Sequence, residues 1–432
     1  MLLFFQSCIV QPIDTTPPEQ TDYYRKTVAQ IEQAKLDTTA GDTLKIGWAK
    51  VNITPPPPAP LAGYGKRLGL KYKEVHDSAY VRTFAFDNGQ HLAFLVTLDM
   101  LITPMELTKV LEKQYSKLGL KPQQVYLTAT HTHTSFGGWG KRIGGRMMAG
   151  KYKKKLVQQA AEHVLQSINQ AQANLEATRV GYGYANGAPW VYNRLTGSAT
   201  ARDTTIRFLK FEKKNGNTAI LCTFSAHPTI LPSMQPVLSR DYPGVLVDQL
   251  EKQVNFAAFA AGAVSSHRSN YQHGETFKSV EEIGHALAEI VLQESATVQL
   301  TYTNQLNSVR IPLSLPKPHW RLGDEHRFAP GLFYTFFGKY SAYLSSLQVG
   351  ETVLLGTPAD YSGEFMTQLE QQAHKQGQHM VLTGFNGGYI GYIVPDEHYQ
   401  LKKYEARAMN FYGPYSGSYL TQMLLQLLRL HQ

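Results

Sequence analysis

Apolar positions along this chain follow two patterns. One is a short run bounded by turn residues, as a buried strand shows; the other is the i, i+3, i+4 spacing of a helix packed on one face. Runs at 44–49, 80–86, 92–98, 124–130, 179–184, 205–211, 219–224, 256–261, 298–313 and 352–356 predict strands. Helical spacing appears at 105–118, 154–171, 245–253, 279–292, 362–375 and 416–429. The two kinds alternate, which predicts α/β layers. Strands 80–86 and 92–98 are joined by a connection too short for a crossover, so they pair antiparallel and the sheets are mixed. After the first strand, Pro55-Pro56-Pro57-Pro58 forces an extended turn. No internal repeat and no second linker divides the chain. The expectation is one large α/β domain over 44–432, with mixed β-sheets flanked by helices. Ahead of it, 9–43 predicts a flexible tether carrying Pro12, Pro17 and Pro18, then a helix from 23 to about 40.

The chain has 432 residues, 43% hydrophobic and 17% charged, the balance of a folded protein rather than a disordered one. Its net charge of +9 is spread along the length, with a short cluster at Lys151, Lys153, Lys154 and Lys155. That is no nucleic-acid-binding arm and predicts no nucleic-acid partner, though it leaves attraction to anionic lipid open. Of the two cysteines, Cys222 sits in an apolar run and reads as a small hydrophobe. Cys8 follows Met1-Leu2-Leu3-Phe4-Phe5-Gln6-Ser7, which reads as the end of a truncated lipoprotein signal over 1–8, or as a stub without a targeting role. On the first reading Cys8 is lipidated and tethers the domain to a bacterial envelope membrane, outside the cytoplasm. No apolar run is long enough for a membrane-spanning helix.

Chemistry-bearing residues gather at predicted strand ends. His131 and His133, in Thr130-His131-Thr132-His133-Thr134, follow the strand at 124–130 and run into Gly137-Gly138. Residues two apart on a strand share a face, so both imidazoles can address one point, as a metal site needs; the other reading is an exposed polar loop. His227, before Pro228, ends another strand as a ligand or as a satisfied buried histidine. Ser265, after Gly262-Ala263-Val264, is a nucleophile candidate or a turn residue. Asp360, in Pro358-Ala359-Asp360-Tyr361, is a ligand candidate or the N-cap of the next helix. The Gly-rich stretch 385–394 interleaves Tyr389 and Tyr392 and would let phenols approach a site closely. Two histidines, an aspartate and a tyrosine suit zinc. The aromatic stretch 330–337 reads as buried core or as the lining of an apolar tunnel.

In this order the motifs resemble the N-terminal catalytic domain of the neutral (non-lysosomal) ceramidase family. The resemblance rests on Ala49-Lys50-Val51-Asn52-Ile53-Thr54-Pro55-Pro56, Leu61-Ala62-Gly63-Tyr64-Gly65, His76-Asp77, Asp99, His131 to Gly138, Asn193-Arg194 and His227-Pro228. It implies that family's catalytic-domain fold and a catalytic zinc ion held by His131, His227, Asp360 and Tyr392. Beside the metal it implies His133, Arg194, Ser265 and Tyr404. His133 would move the proton, Arg194 and Tyr404 would donate to the developing oxyanion, and Ser265 would be an orienter or a nucleophile.

The chain departs from the family pattern at three places. The acidic ligand is Glu in a Pro-Gly-Glu-Phe motif, where this chain has Asp360, one methylene shorter. Glu364 in Ser362-Gly363-Glu364-Phe365 matches the letters better but lies four residues on. Ala263 stands where the family carries Asp, removing a carboxylate that could orient the residues around the metal, and His267 adds a titratable group. The family's additional C-terminal β-sandwich has no room after 424–428. The expected activity is zinc-dependent hydrolysis of a linear amide, with ceramide or another lipid-like or small N-acyl amide as substrate. The rivals are a metal-dependent hydrolase of another ester or amide and a non-catalytic envelope binding protein that kept the fold.

Overall fold

The structure, a computed structural model, describes residues 9–36, 39 and 41–432. Cys8, on which the expected anchor depends, lies outside them. Strands β1 (Lys45–Asn52), β2 (Tyr80–Asp87), β3 (Leu92–Leu98), β4 (Val125–Ala129), β5 (Glu176–Asn186), β6 (Thr205–Lys213), β7 (Thr218–Phe224) and β8 (Phe256–Ala261) form an 8-stranded sheet. Its spatial order is β8-β7-β6-β5-β1-β2-β3-β4. The outermost pairs, β3–β4 and β7–β8, are parallel; the inner pairs are antiparallel. A parallel neighbour requires a crossover. Helix α1 (Asp22–Gln33) precedes the sheet; α2 (Met105–Tyr115) connects β3 to β4, α3 (Lys154–Ala173) lies between β4 and β5, and α4 (Asp241–Leu250) connects β7 to β8. Helix α5 (Phe277–Ser295) follows β8. The mixed α/β architecture expected from the alternating pattern is the one observed.

A second sheet of β9 (Leu306–Leu313), β10 (Ala342–Val349), β11 (Thr352–Gly356) and β12 (His379–Thr383) runs in that order, with only β11–β12 parallel. Helix α6 (Met366–Lys375) makes that crossover and α7 (Ser416–Arg429) packs on the sheet with α1, where Thr27 Oγ1 and Tyr419 OH are hydrogen-bonded at 2.8 Å. The first sheet curls until its edges approach: Thr97 Oγ1 of β3 donates to the Phe259 carbonyl of β8 at 2.7 Å. The second sheet is fastened beside that seam. Thr128 Oγ1 of β4 donates to the Gly384 carbonyl at 2.9 Å, and Gly384 N–H donates to the Ala261 carbonyl at 2.9 Å. The carboxyl ends of β4, β8 and β12 therefore meet. In open α/β sheets ligands bind beyond such strand ends.

Helix α3 covers one face of the first sheet, with Val157, Ala160, Ala161, Val164 and Ile168 buried at helical spacing, while the other face is buried against the second sheet. A Cβ at Gly47 would lie 1.9 Å from the Ala171 carbonyl oxygen, so glycine sets the approach of helix to strand. Some elements differ from expectation. The strand expected at 298–313 begins only at Leu306, because 298–305 runs as irregular chain with a lone bridge from Thr301 to Val180. Strand β10 carries Ser345, Ser346 and Gln348 inward and is buried along its length, so it has no alternation to read. Residues 10–12, expected within a free tether, pair antiparallel with His326–Phe328, and Asp14 N–H donates to His319 Nε2 at 3.1 Å. The leading helix ends at Gln33. Cys222 is a free, buried thiol, its pKa pushed up by that burial. Among the described residues no helix is long and apolar enough to cross a membrane.

Candidate metal centre

Three imidazoles meet beyond the strand ends. His131 follows β4 in the left-handed region (φ 60), with its N–H bonded to the Met100 carbonyl. Its ring stacks on Phe385 at 3.8 Å, and Phe385 also has positive φ (66). Such backbone is costly for residues with a side chain and persists where surrounding packing enforces it. His227 lies beyond the end of β7 and is fully buried. The Nε2 atoms of His131 and His227 are 2.9 Å apart; His133 Nε2 lies 3.2 Å from the first and 2.9 Å from the second. Asp360 Oδ1 is 3.2 Å from His131 Nε2. That oxygen is buried and accepts no hydrogen bond within the protein, while Oδ2 accepts one from Tyr389 OH at 2.7 Å.

This donor set fits a metal ion. Three converging imidazole nitrogens cannot all find protons to share, and the orphaned carboxylate oxygen beside them lacks a cation. His131 Nδ1 lies 2.5 Å from the Leu101 carbonyl, which fixes the proton on Nδ1 and leaves Nε2 as a bare lone pair facing the others. His227 Nδ1 faces the Val264 carbonyl at 3.4 Å and the Arg194 guanidinium at 3.2 Å. His133 Nδ1 has no protein partner. Burial first, then the His131 imidazole and the Arg67 and Arg194 charges, holds His133 well below the ordinary imidazole pKa; burial and Arg194 do the same to His227. Both are thus neutral, as ligation requires.

The remaining expected residues surround this cluster. Tyr392 pairs in parallel register with Asp360, which sets the two side by side, and its phenol accepts from Arg194 at 3.4 Å. Burial and the Asp360 charge push the Tyr389 and Tyr392 phenols well above the ordinary pKa, so both remain proton donors. Arg194 is pinned by Glu405 at 2.9 Å and by the Ser265 carbonyl at 3.0 Å. Burial works against the Arg194 charge, but Tyr392, Glu405 and Asp360 hold its pKa above the usual value. Tyr404 is half-exposed and packs edge-on against Tyr392. Asp360, Tyr389, Tyr392, Arg194 and Tyr404 line a cavity of about 710 Å³ together with the three histidines and Tyr64, Tyr192 and Tyr271. The Ser265 hydroxyl is buried, unpartnered and outside that lining. Asp360 is no helix cap: it sits in a two-residue strand, and α6 starts six residues later. Glu364 is turned away, with its carboxylate 3.1 Å from His398 Nε2.

Sequence reading missed Tyr389 as a partner of Asp360 and Glu405 as the anchor of Arg194, although Tyr389 lies inside the 385–394 stretch and Glu405 directly follows Tyr404. It also missed the role of the Gly63 motif. Gly63 has φ 120, and a Cβ there would lie 2.7 Å from the His133 carbonyl oxygen and 3.0 Å from its Cα. Gly63→Ala is therefore expected to displace the His133 loop. A destabilisation of about 1–3 kcal/mol is expected in urea melts, with a larger proportional loss of activity than of folded protein. Unchanged activity would dissociate this glycine from the site. Ala263 is linked to a buried carboxylate through Ser225: Asp203 accepts from Ser225 Oγ at 2.6 Å, and Ala263 N–H donates to that Ser225 oxygen at 3.1 Å. Asp203 in turn forms a buried ion pair with Arg207.

Fold and site together define a mixed α/β protein with a buried cluster of three histidines and a carboxylate, compatible with a metal ion, at the floor of a cavity. Residues 44–276, more than half of the chain, match the family described as neutral/alkaline non-lysosomal ceramidase, N-terminal. The chain is 22% identical over 467 residues to the neutral ceramidase of Pseudomonas aeruginosa, covering 85% of this chain and 69% of that protein. The crystal structure of neutral ceramidase from Pseudomonas aeruginosa superposes with a TM-score of 0.78 at 19% identity, over 89% of this chain and 74% of that one. A ceramidase complexed with C2 gives 0.78 at 19% identity, over 90% and 75%. The chain belongs to the neutral/alkaline non-lysosomal ceramidase family.

Proposed function

We propose that the chain is a zinc-dependent amidohydrolase that cleaves the linear amide of ceramide or a related N-acyl lipid. The observation carrying this reading is the convergence of three imidazole Nε2 atoms and an orphaned buried carboxylate oxygen on one point of a cavity, in a member of a ceramidase family. Nitrogen and oxygen donors of this kind favour zinc. When bound, zinc supplies Lewis acidity toward a carbonyl and a water acidified to near pH 7. His131, His227, Asp360 and Tyr392 would hold it. His131 directs Nδ1 at the Leu101 carbonyl, the bond that orients a ligating imidazole, and His227 Nδ1 is held between the Val264 carbonyl and the Arg194 guanidinium.

His133 lacks that bond and is the least buried of the three. It is therefore assigned the proton, accepting it from water and returning it to the leaving amine. Arg194, held rigid by Glu405 and the Ser265 carbonyl, and the phenol of Tyr404 donate to the oxygen on which negative charge develops. Ser265 acts through that carbonyl, as an orienter of Arg194 rather than a nucleophile. Lipidation at Cys8 would keep such a site near membrane-resident substrates.

The test is fatty-acid release from N-acyl-sphingosine in detergent micelles. Release by zinc-loaded protein, its loss on chelation and its return with added zinc are expected. No release by protein carrying stoichiometric zinc would overturn the ceramide reading.

A further inference from the structure

A second cavity of about 330 Å³ abuts the first, and Ile102, Met148 and Tyr389 line both. Its walls are largely apolar: Pro104, Met105, Trp139, Phe337, Tyr340 and Phe411. Phe337 comes from the aromatic stretch 330–337, most of which forms a short helix, Pro330–Phe336. Two features set this cavity apart from a simple greasy slot. Trp139, only 9% exposed, carries a buried indole N–H without a partner. The rim is also cationic: Lys109, Lys141, Arg142 and Lys339 against a single acid, Glu106. Glu106 pairs with Lys141 and lies 3.7 Å from Lys109. Arg142 and Lys339 are exposed and have no ion-pair partner among the described residues. An apolar interior favours a hydrocarbon arm, whereas four cations at its rim favour an anion.

We infer that this cavity is a subsite for one hydrocarbon arm of the substrate, and that the preferred arm ends in an anionic group seated between Arg142 and Lys339. The inference rests on the amidohydrolase reading and narrows its substrate class to N-acyl amides with a carboxylate, sulfonate or phosphate at the far end of one chain. Tyr389 makes the junction physically specific, since the same phenol that holds Asp360 forms the wall between the two cavities.

The experiment compares kcat/KM for two N-dodecanoyl amides of one small amine, one with a methyl chain end and one with a terminal carboxylate. A second pair carries the same difference on the amine arm. At low salt one carboxylate-ended amide is expected to be preferred over its neutral counterpart by roughly five- to tenfold, from two rim charges. The preference should shrink with added salt. It should disappear or invert in R142E/K339E; because the readout is a ratio, partial unfolding does not affect it. Hydrolysis of all four amides without a charge preference, or a preference unaltered by R142E/K339E, overturns the subsite while leaving the amidohydrolase reading intact. If no amide is hydrolysed, the amidohydrolase reading fails instead, and direct binding decides the subsite. Dodecanoate should then bind the zinc-loaded protein more tightly than dodecanol and weaken at least fivefold in R142E/K339E; equal binding by both proteins overturns it.

Discussion

His227→Ala protein is expected to emerge from purification without zinc and to release fatty acid only at background, whereas His133→Ala should retain the metal. Both changes remove an imidazole from the same cluster, and the Nε2 atoms are nearly equidistant. The difference lies behind the ring. His227 is fully buried, and its Nδ1 is held between the Val264 carbonyl and the Arg194 guanidinium; His133 opens on the cavity with Nδ1 unpartnered. A proton-transfer residue contributes about 10²–10⁴ in kcat, so His133→Ala should lose that much with zinc content near that of the wild type. Asp360→Asn should weaken metal retention, because it removes the anionic charge beside the histidines. Glu364→Gln should leave it unchanged, since Glu364 faces His398. Zinc measured by atomic emission beside kcat separates these cases. Equal zinc loss in the His133 and His227 variants would move His133 into the ligand set and leave the proton-transfer role empty.

Much of this site was legible because its residues sit at strand ends in motif order. Each parallel pair, β3–β4, β7–β8 and β11–β12, delivers its carboxyl end to one seam, and His131, His227 and Asp360 follow from that topology. The choice between Asp360 and Glu364 was not legible from letters alone. The better-matching glutamate is one short turn further on, and only the folded geometry shows that Asp360, 3.2 Å from His131 Nε2, faces the histidines while Glu364 faces His398. Tyr389, Phe385 and Glu405 were equally hidden. Their importance lies in contacts across more than 25 residues, to Asp360, His131 and Arg194 in turn, and no local pattern encodes those contacts. Strand β10 escaped for a related reason. Its inward polar residues are satisfied late in the chain: His431 lies 2.8 Å from Ser346 Oγ and 3.2 Å from Gln348 Oε1. A strand whose buried polar groups are matched by the last residues of the chain has no apolar signature of its own.

That same His431 belongs to a set that should make the protein sharply acid-labile. His267, His319 and His431 are each pushed down to about 4 by burial; Asp203 opposes the shift at His267, and Arg327 adds to it at His319. An unfolded histidine titrates near 6.5. Between pH 4 and 6.5 the unfolded chain therefore binds more protons than the folded one, and stability rises with pH across that window. Stability from these groups is fully present above pH 6.5 and is lost as pH falls toward 4. Each contributes about 3 kcal/mol, so the set amounts to about 10 kcal/mol, comparable to the whole stability of an ordinary domain. Buried Asp241, raised to about 6 by desolvation, works the other way over pH 4–6 and offsets about 3 kcal/mol. Buried Asp99, also raised by desolvation, acts in the same direction as Asp241. The three histidines outweigh Asp241. In metal-free protein His133 and His227, held neutral by burial and nearby cationic groups, steepen the slope further. Urea midpoints measured from pH 7.5 to 4.5 on zinc-free protein should fall steeply below pH 6.5. His319→Gln and His431→Gln should each flatten the curve by about 1 kcal/mol per pH unit, one proton's worth. A midpoint that stays level down to pH 5 would mean that these histidines are solvated or charged in the folded protein.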